Sequence, residues 1–264
     1  MKKVGLALGS GGVRGLAHIG VLKVLIKNNI PIDYIAGASI GSWVGAYYAL
    51  TKDIGKLEEL MVGNKQEKLF SFAEISFTGG LIKGEKLEKL LNEWLHYANF
   101  DNLKIPLKVV ATDLVKGEEV IFDQGSVAVA ARASMAVPGF FKPVKIGEQI
   151  LVDGGVSNPV PDGIVKKMGA DIVISVNLDN CQNIKSLEEN SYTRFDEVAS
   201  RSLEIMRKFL AKESMKNSDF IIQPPLKEYS SWLDYFTKNK GAEIVAIGEK
   251  ETEKIIPELK NRIK

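Results

Sequence analysis

The chain has 264 residues, a length that fits one large α/β domain or two small ones and can bury a substantial core. Hydrophobic residues make up 45% of the chain and charged residues 26%, as in ordinary soluble globular proteins. The formal net charge of +2 and the lack of a long basic run give no electrostatic basis for binding nucleic acid.

The compartment is indicated by the cysteine content and by the apolar runs. Cys181 is the one cysteine, which excludes an internal disulfide and a cysteine-based zinc site and fits a reducing environment. Residues 1–8 briefly imitate a signal peptide, but the glycines from Gly9 onward interrupt the apolar run too early. No uncharged apolar stretch has the length of a transmembrane helix. We therefore expect a cytoplasmic protein whose membrane contacts are peripheral.

The N-terminal part is predicted to form a βαβ unit. Val4 to Leu8 is a short apolar run bounded by glycine, as in a buried strand. A helix with one apolar side follows and ends before Pro31, which prevents its continuation. A second strand is predicted at residues 34–36 and a helix at residues 43–50. Two strands joined through a helix are expected to be parallel and right-handed.

The rest of the chain continues to alternate helices and strands. Residues 85–95 carry leucines and Trp94 at helical spacing. We predict further strands at residues 107–111, 120–122, 150–152 and 172–176, and further helices at 195–212 and 242–256. We find no internal repeat or low-complexity segment. We therefore expect a single domain over residues 1–264, with a motif-bearing core at about 3–180 and a helical C-terminal part at 190–264.

The sharpest motif is a G-x-S-x-G pentapeptide, residues 37–41, between a predicted strand and a predicted helix. A nucleophilic serine needs a turn so tight that neighbouring side chains would clash, and Gly37 and Gly41 supply the clearance around Ser39. The following helix would also point its first N–H groups towards the site. A serine that merely caps a βα turn is the alternative. The strand-then-helix context favours the nucleophile.

A second glycine-rich loop, residues 9–15, also lies between a predicted strand and a helix. Its backbone N–H groups would suit an anion. A P-loop would need Gly-Lys-Ser/Thr at its end, and a dinucleotide fingerprint from Gly9 would need glycine at Arg14, so both readings are weak. Loops after parallel strands lie at the same sheet edge, which places this loop beside Ser39. The geometry therefore favours an oxyanion hole.

Neither histidine fits a catalytic triad with Ser39. His18 lies one turn into the helix after the glycine-rich loop, where packing or capping is the simpler role. His96 lies beside Trp94 and Leu95 of the amphipathic helix predicted at residues 85–95, where a structural role is far more common. A Ser…Asp…His order ending at His96 would leave no strand framework between the acid and the histidine. We therefore exclude the triad.

A carboxylate must then serve as the base, and Asp153 is the best candidate. It ends an apolar run, and the two glycines after it, Gly154 and Gly155, permit a turn and a close backbone approach. In isolation, an ordinary Asp-Gly turn would be the better explanation. The need for a base that histidine cannot supply favours a catalytic Asp153.

Together these segments resemble the patatin-like phospholipase family, in particular its compact bacterial members, over roughly residues 3–180. Residues 11–15 look like the oxyanion loop of that family, residues 37–41 like its nucleophile elbow, and residues 153–155 like its Asp-Gly-Gly box. Residues 131–143 resemble a family block that precedes this box. Ser10 stands where plant members have glycine, and we expect little consequence because the implied donors are backbone N–H groups.

The resemblance implies an α/β fold, a three-layer α/β/α sandwich with a mostly parallel central sheet. It implies a Ser39–Asp153 dyad with no metal or cofactor, in which Asp153 accepts the proton of Ser39 as Oγ attacks an ester carbonyl. The implied substrate is a phospholipid, a lysophospholipid or another fatty-acyl ester. The implied oxyanion donors are the N–H groups of Gly11, Gly12 and Val13. Support of the loop and the elbow is expected from Arg14, Gly15, Gly37, Gly41, Gly154 and Gly155.

Three alternatives stay open at this stage. An esterase or thioesterase for soluble acyl substrates would use the same two residues. A regulatory or adaptor protein on the same scaffold would have no activity. A nucleotide-binding protein is the weakest alternative because both phosphate fingerprints fail.

Two aromatic segments have no assigned role. One precedes a glycine pair and fits an apolar flap or a buried segment: Phe70, Phe72, Ile75 and Phe77. The other fits a lipid interface or simple packing: Trp232, Tyr235 and Phe236, near Lys238 and Lys240.

Overall fold

Eight strands of the described residues form one mixed sheet. This computed structural model describes residues 2–63, 83–179, 195–227, 229 and 240–264. The strands are β1 (Val4–Leu8), β2 (Tyr34–Ala38), β3 (Leu107–Asp113), β4 (Glu118–Phe122), β5 (Val144–Ile146), β6 (Gln149–Asp153), β7 (Ile172–Val176) and β8 (Phe220–Ile222). The strands predicted from the sequence are all present. β5 and β8 are additional, and each has only three residues, too few for a periodic pattern to be recognised.

Helices flank the strands along the chain. They are α1 (Ala17–Lys27), preceded by a 3-10 turn at Gly12–Leu16, α2 (Ile40–Thr51), α3 (Ile54–Val62), α4 (Glu85–Trp94), α5 (Val127–Ser134), α6 (Asp162–Lys167), α7 (Phe195–Glu213), α8 (Gly241–Glu253) and α9 (Ile256–Ile263). Short 3-10 turns lie at Phe100–Asn102 and Gly154–Val156. The helix predicted at 242–256 is thus two helices. Pro257 lies in the first turn of α9, where a residue without an N–H is tolerated.

The sheet is mostly parallel, as expected. Its strand order is β5-β6-β3-β2-β1-β7-β8, with β4 also paired to β3. The strands β3, β2, β1, β7 and β8 are parallel neighbours, whereas β4 and β6 pair antiparallel with β3, and β5 with β6. Because β8 extends the sheet beside β7, the C-terminal part, predicted to be helical, also contributes a strand.

The central sheet is covered by helices on both faces. On one face, strand residues such as Leu6 and Ile174 belong to the same buried cluster as residues of α1 to α5, α8 and α9. On the other face, Ala36 and Val173 pack with α6 and with Ala211 of α7. Strands whose faces are both buried are expected for a mainly parallel sheet. The α/β/α arrangement implied by the family resemblance is therefore confirmed.

The ends of β2 and β6 meet on β3. β4 pairs with β3 over Val109–Asp113 and so occupies one edge of that strand. β2 pairs Ala38 with Val110, and β6 pairs Asp153 with Ala111, so both must use the other edge. Since β6 runs antiparallel to β3, the C-terminal ends of β2 and β6 face each other. The residue after β2 is thereby placed next to Asp153.

Three predicted features lie outside the described residues. They are the aromatic segment at 70–77, the aromatic cluster at 232–236, and Cys181. Within the described ranges, the helices are all too short or too polar to cross a lipid bilayer.

Candidate active site

Ser39 is the single residue between β2 and α2, in a sharp turn. Its backbone has φ 53° and ψ −127°, a conformation that residues other than glycine rarely adopt. The N–H of Ser39 donates to Ser134 Oγ at 2.8 Å, and Ser42 Oγ donates to the carbonyl oxygen of Ser39 at 2.6 Å. These bonds hold the strained turn from both sides.

The two glycines of the pentapeptide lie against backbone atoms. A Cβ at Gly37 would lie 2.6 Å from the carbonyl oxygen of Gly41. A Cβ at Gly41 would lie 2.2 Å from the carbonyl oxygen of Leu8, at the end of β1. Neither position has room for a side chain. The close approach also sets the turn at Ser39 directly beside the start of the glycine-rich loop.

Ser39 and Asp153 form a direct, buried contact. Ser39 Oγ donates to Asp153 Oδ2 at 2.5 Å, and the two residues are only 5% and 4% exposed. The other carboxylate oxygen, Oδ1, accepts the N–H of Gly155 at 2.7 Å. The N–H of Asp153 donates to the carbonyl oxygen of Ala136 at 3.0 Å. The carboxylate is therefore held in one orientation, with Oδ2 aimed at the serine.

Burial raises the pKa of Asp153 from 3.8 to about 6. The hydrogen bonds from Ser39 and from the N–H of Gly155, together with the charge of Arg207, act in the opposite direction, and the charge of Asp179 adds to the increase. At neutral pH the group is therefore ionised, yet it is a stronger base than an aspartate in water.

The glycine-rich loop lies next to this pair. β1 and β2 are parallel neighbours with Leu8 opposite Gly37, so the loops that follow them leave the sheet side by side. Gly12 has φ 57°, which glycine adopts without strain. Within the described residues, the N–H groups of Gly11, Gly12 and Val13 donate to no backbone acceptor. Unpaired amides at such a turn are available to an anion.

Side chains beneath the loop bind its carbonyl groups. Arg14 Nε donates to the carbonyl oxygen of Gly11 at 3.1 Å. His18 Nε2 lies 2.8 Å from the carbonyl oxygen of Gly9. Burial lowers the pKa of His18 to about 4, so the ring is neutral near pH 7 and Nε2 carries the proton. His96 is exposed, after the end of α4.

The other predicted support residues join the three segments. A Cβ at Gly15 would lie 2.2 Å from Ile40 Cγ1 in the first turn of α2. A Cβ at Gly154 would lie 2.2 Å from the carbonyl oxygen of Val110 in β3. A Cβ at Gly155 would lie 2.7 Å from Ser10 Oγ in the glycine-rich loop. The structure therefore brings the predicted site residues into one region.

Sequence reasoning missed three residues of this region. Ser134 lies in the block of residues 131–143, but nothing in that pattern indicates that its hydroxyl accepts the N–H of Ser39. Asp179 follows β7 at the same sheet edge as the two loops, a position that could have been noted. Arg207 lies on α7 and has no sequence signal. Among the described residues, no group of three or more His, Cys, Asp or Glu is placed to hold a metal ion.

The fold and this site define an α/β protein with a serine at a strained strand–helix turn, a buried aspartate and a glycine-rich loop. A family model described as patatin-like phospholipase matches residues 6–164, which is more than half of the chain. The chain belongs to the patatin-like phospholipase family.

Curated relatives agree with this assignment. An uncharacterised NTE family protein of Mycobacterium tuberculosis is 35% identical over 184 residues, 68% of this chain and 50% of that protein. Lysophospholipase NTE1 of Pyricularia oryzae is 30% identical over 181 residues, 67% of this chain and 12% of that protein. The chain therefore spans half or less of the length of these relatives.

Solved structures share the fold at low sequence identity. VipD from Legionella pneumophila superposes with a TM-score of 0.68 at 14% identity, covering 97% of this chain and 67% of that chain. The type III effector ExoU of Pseudomonas aeruginosa gives a TM-score of 0.53 at 15% identity, covering 98% and 53%. At these identities the likeness shows a common fold.

Proposed function

We propose that this chain is a serine acyl hydrolase that cleaves fatty-acyl esters through a Ser39–Asp153 dyad. The observation that carries the proposal is the contact of 2.5 Å between Ser39 Oγ and Asp153 Oδ2 in a buried setting. Membership of the patatin-like phospholipase family and similarity to a lysophospholipase support a phospholipid or lysophospholipid as substrate. Such substrates reside in membranes or micelles, so the proposal includes peripheral contact with a lipid surface. From the sequence, we place this activity in the cytoplasm.

The proposed reaction begins with attack by the serine. Asp153 accepts the proton of Ser39 as Oγ bonds to the ester carbonyl carbon, and the carbonyl oxygen becomes an oxyanion. The N–H groups of Gly11, Gly12 and Val13 are the proposed donors to that oxyanion, and each such donor is typically worth about 2.7–4 kcal/mol of barrier. Asp153 then gives its proton to the leaving alcohol, which leaves an acyl group on Ser39.

The second half of the reaction releases the fatty acid. Asp153 now accepts a proton from water as the water oxygen attacks the acyl carbon, and it returns the proton to Ser39 Oγ when the bond to the serine breaks. Both halves need Asp153 in its ionised form. Because the pKa of Asp153 is about 6, the reactivity of Ser39 is expected to rise as the pH passes 6 and to level off above it.

Labelling with a fluorophosphonate ester, followed by intact mass, tests the dyad. We expect one adduct, at Ser39, with a rate that rises through about pH 6. Ser39→Ala should abolish the adduct, and Asp153→Asn should slow labelling by roughly 10²- to 10⁴-fold, the usual contribution of a general base. Ser202→Ala, which removes an exposed serine of α7, is the matched control and should label like the wild type.

The outcome separates the remaining alternatives. A well-folded protein that forms no adduct at Ser39 would reject the hydrolase and support a non-catalytic adaptor on this scaffold. If Ser39 is labelled, hydrolysis of micellar phospholipid and lysophospholipid should exceed hydrolysis of soluble short-chain esters and thioesters. The reverse preference would indicate an esterase or thioesterase instead.

A further inference from the structure

We propose that Arg207 and Asp179 are positioning residues, which connect α7 to the glycine-rich loop and set the charge that faces Asp153. This inference rests on the proposed hydrolase function, because it assigns the two residues a role in that reaction. Neither residue contacts Ser39 in the described structure, so the proposed role acts through the loop and through Asp153.

Asp179 and Arg207 form a paired contact between distant parts of the chain. Asp179 follows β7, and its side chain is only 4% exposed. Arg207 Nε donates to Asp179 Oδ2 at 2.9 Å, and Arg207 Nη2 donates to Oδ1 at 2.8 Å. Two parallel bonds from a planar guanidinium fix both distance and angle, which one ammonium group cannot do. The pair therefore holds α7 in a defined position over the end of β7.

The same carboxylate also binds the glycine-rich loop. Arg14 Nη2 donates to Asp179 Oδ1 at 3.2 Å, and Ser10 Oγ donates to Oδ2 at 3.3 Å. Arg14 in turn donates from Nε to the carbonyl oxygen of Gly11 at 3.1 Å. A continuous set of contacts thus runs from Arg207 through Asp179 and Arg14 to the backbone of the proposed oxyanion loop.

A buried carboxylate between two guanidinium groups depends on both partners. Among the described side chains, removing Arg207 leaves the Asp179 carboxylate with Arg14 and Ser10. A buried charge that loses a partner is strongly destabilised. Arg14 would then be drawn towards Asp179 and away from the carbonyl of Gly11. Displacement of donors or reactants by about 1 Å is enough to cost roughly 100-fold in rate.

The charges of the pair also act on Asp153. In the part of the chain that the structure describes, the groups that act on this carboxylate are the hydroxyl of Ser39, the N–H of Gly155, Arg207 and Asp179. The positive charge of Arg207 lowers the pKa of Asp153, whereas the negative charge of Asp179 raises it. Loss of Arg207 should therefore move the pH midpoint of Ser39 reactivity upward. A residue that only holds α7 in place would leave that midpoint unchanged.

The test measures the rate of fluorophosphonate labelling of Ser39 from pH 5 to pH 9, with thermal unfolding of each variant. Arg207→Ala is expected to slow labelling by roughly 10- to 100-fold and to shift the midpoint to higher pH. Arg207→Lys should keep the midpoint close to that of the wild type but label slowly, because it keeps the charge and loses the paired bonds. Arg201→Ala is the matched control on the same helix, since Arg201 pairs with Glu204 and should leave rate and midpoint unchanged.

The possible results have separate meanings. If folded Arg207→Ala has the rate and midpoint of Arg201→Ala, the inference is overturned. If Arg207→Ala does not fold, Arg207→Lys decides: slow labelling at an unchanged midpoint supports the inference, and wild-type labelling overturns it. If the wild type and Arg201→Ala themselves form no adduct, the proposed function fails and this inference fails with it.

Discussion

Ser39 adopts a backbone conformation that is unfavourable for any residue with a side chain, and this conformation presents its hydroxyl. A residue other than glycine at φ 53° and ψ −127° carries a conformational free energy about 1–3 kcal/mol above that of an ordinary backbone conformation. The hydrogen bond from the N–H of Ser39 to Ser134 and the start of α2 immediately afterwards keep the residue there. The strain is thus located at the residue that the proposed reaction uses.

This strain predicts a difference between two variants that both lack the hydroxyl. Ser39→Gly should be more stable to urea than Ser39→Ala by about 1 kcal/mol, because glycine adopts this conformation without a Cβ penalty. The same pair at Ser202, within α7, should show the opposite order by about 1 kcal/mol, since glycine weakens a helix relative to alanine. Equal or lower stability of Ser39→Gly would show that the turn is not strained.

Between elements, the meeting of β2 and β6 on one edge of β3 creates the candidate site. Ser39 and Asp153 are 114 residues apart in the chain, and their contact depends on two strands that end against Val110 and Ala111. β1 then places the glycine-rich loop on the other side of β2. Three loops that are remote in sequence are thereby collected at one end of the sheet.

The helices α1 and α8 also pack closely against each other. A Cβ at Gly20 would lie 2.1 Å from the carbonyl oxygen of Val245, and a Cβ at Gly248 would lie 2.3 Å from that of Ala17. The two helix backbones therefore touch. Because α1 follows the glycine-rich loop, α8 supports the helix on which that loop depends.

Gly248→Ala is therefore expected to lower the free energy of unfolding by about 1–3 kcal/mol or more, the usual cost of overpacking. Gly55→Ala is the matched control, because Gly55 is also helical and the nearest atom to an added Cβ is 3.6 Å away. The control should be neutral or stabilising by up to about 1 kcal/mol. Urea denaturation measures both, and a Gly248→Ala protein as stable as the control would contradict the close contact of α1 and α8.

Across the whole molecule, the C-terminal part is built into the same core as the motifs. β8 pairs with β7, α7 contributes Ala211 to the core on one face of the sheet, and α8 packs on α1. We infer that the described residues form one domain, since a separate domain would have a core of its own.

Two buried titratable groups give this domain opposite dependences of stability on pH. The pKa of Asp153 is raised from 3.8 to about 6. Below about pH 3.8 the carboxyl is neutral and carries no charge penalty, and the free energy of unfolding decreases as the pH rises through 6. The pKa of His18 is lowered from 6.5 to about 4, so its contribution to stability is complete above 6.5 and is lost as the pH falls towards 4. The two effects offset each other between about pH 4 and pH 6.

Asp153→Asn should remove one of these effects. The wild type should lose stability between pH 4 and pH 8 as Asp153 ionises, whereas the neutral amide of the variant has no charge to desolvate. We therefore expect the free energy of unfolding of the variant, minus that of the wild type at the same pH, to increase by about 2–3 kcal/mol over this range. Urea denaturation at several pH values measures this difference, and comparison at each pH cancels the contribution of His18. A difference that does not change with pH would show that the pKa of Asp153 is not raised in the folded protein.

The sequence by itself determined the features that depend on local sterics. Gly37 and Gly41 are required because neighbouring backbone leaves no room for a Cβ, and this need is visible as a short motif around Ser39. The short, mainly apolar runs of β1 and β7 likewise predicted buried strands. Asp153 was predicted by eliminating His18 and His96, and by the glycines that follow it.

Tertiary structure alone decided the features that depend on contacts between remote segments. Strands as short as β5 and β8 form because a neighbour supplies their hydrogen bonds, which no periodic pattern in three residues can indicate. The raised pKa of Asp153 arises from burial among several elements. The contact of Asp179 with Arg207 depends on where α7 docks, because a charged residue on a helix has the same sequence pattern whether it faces solvent or a buried carboxylate.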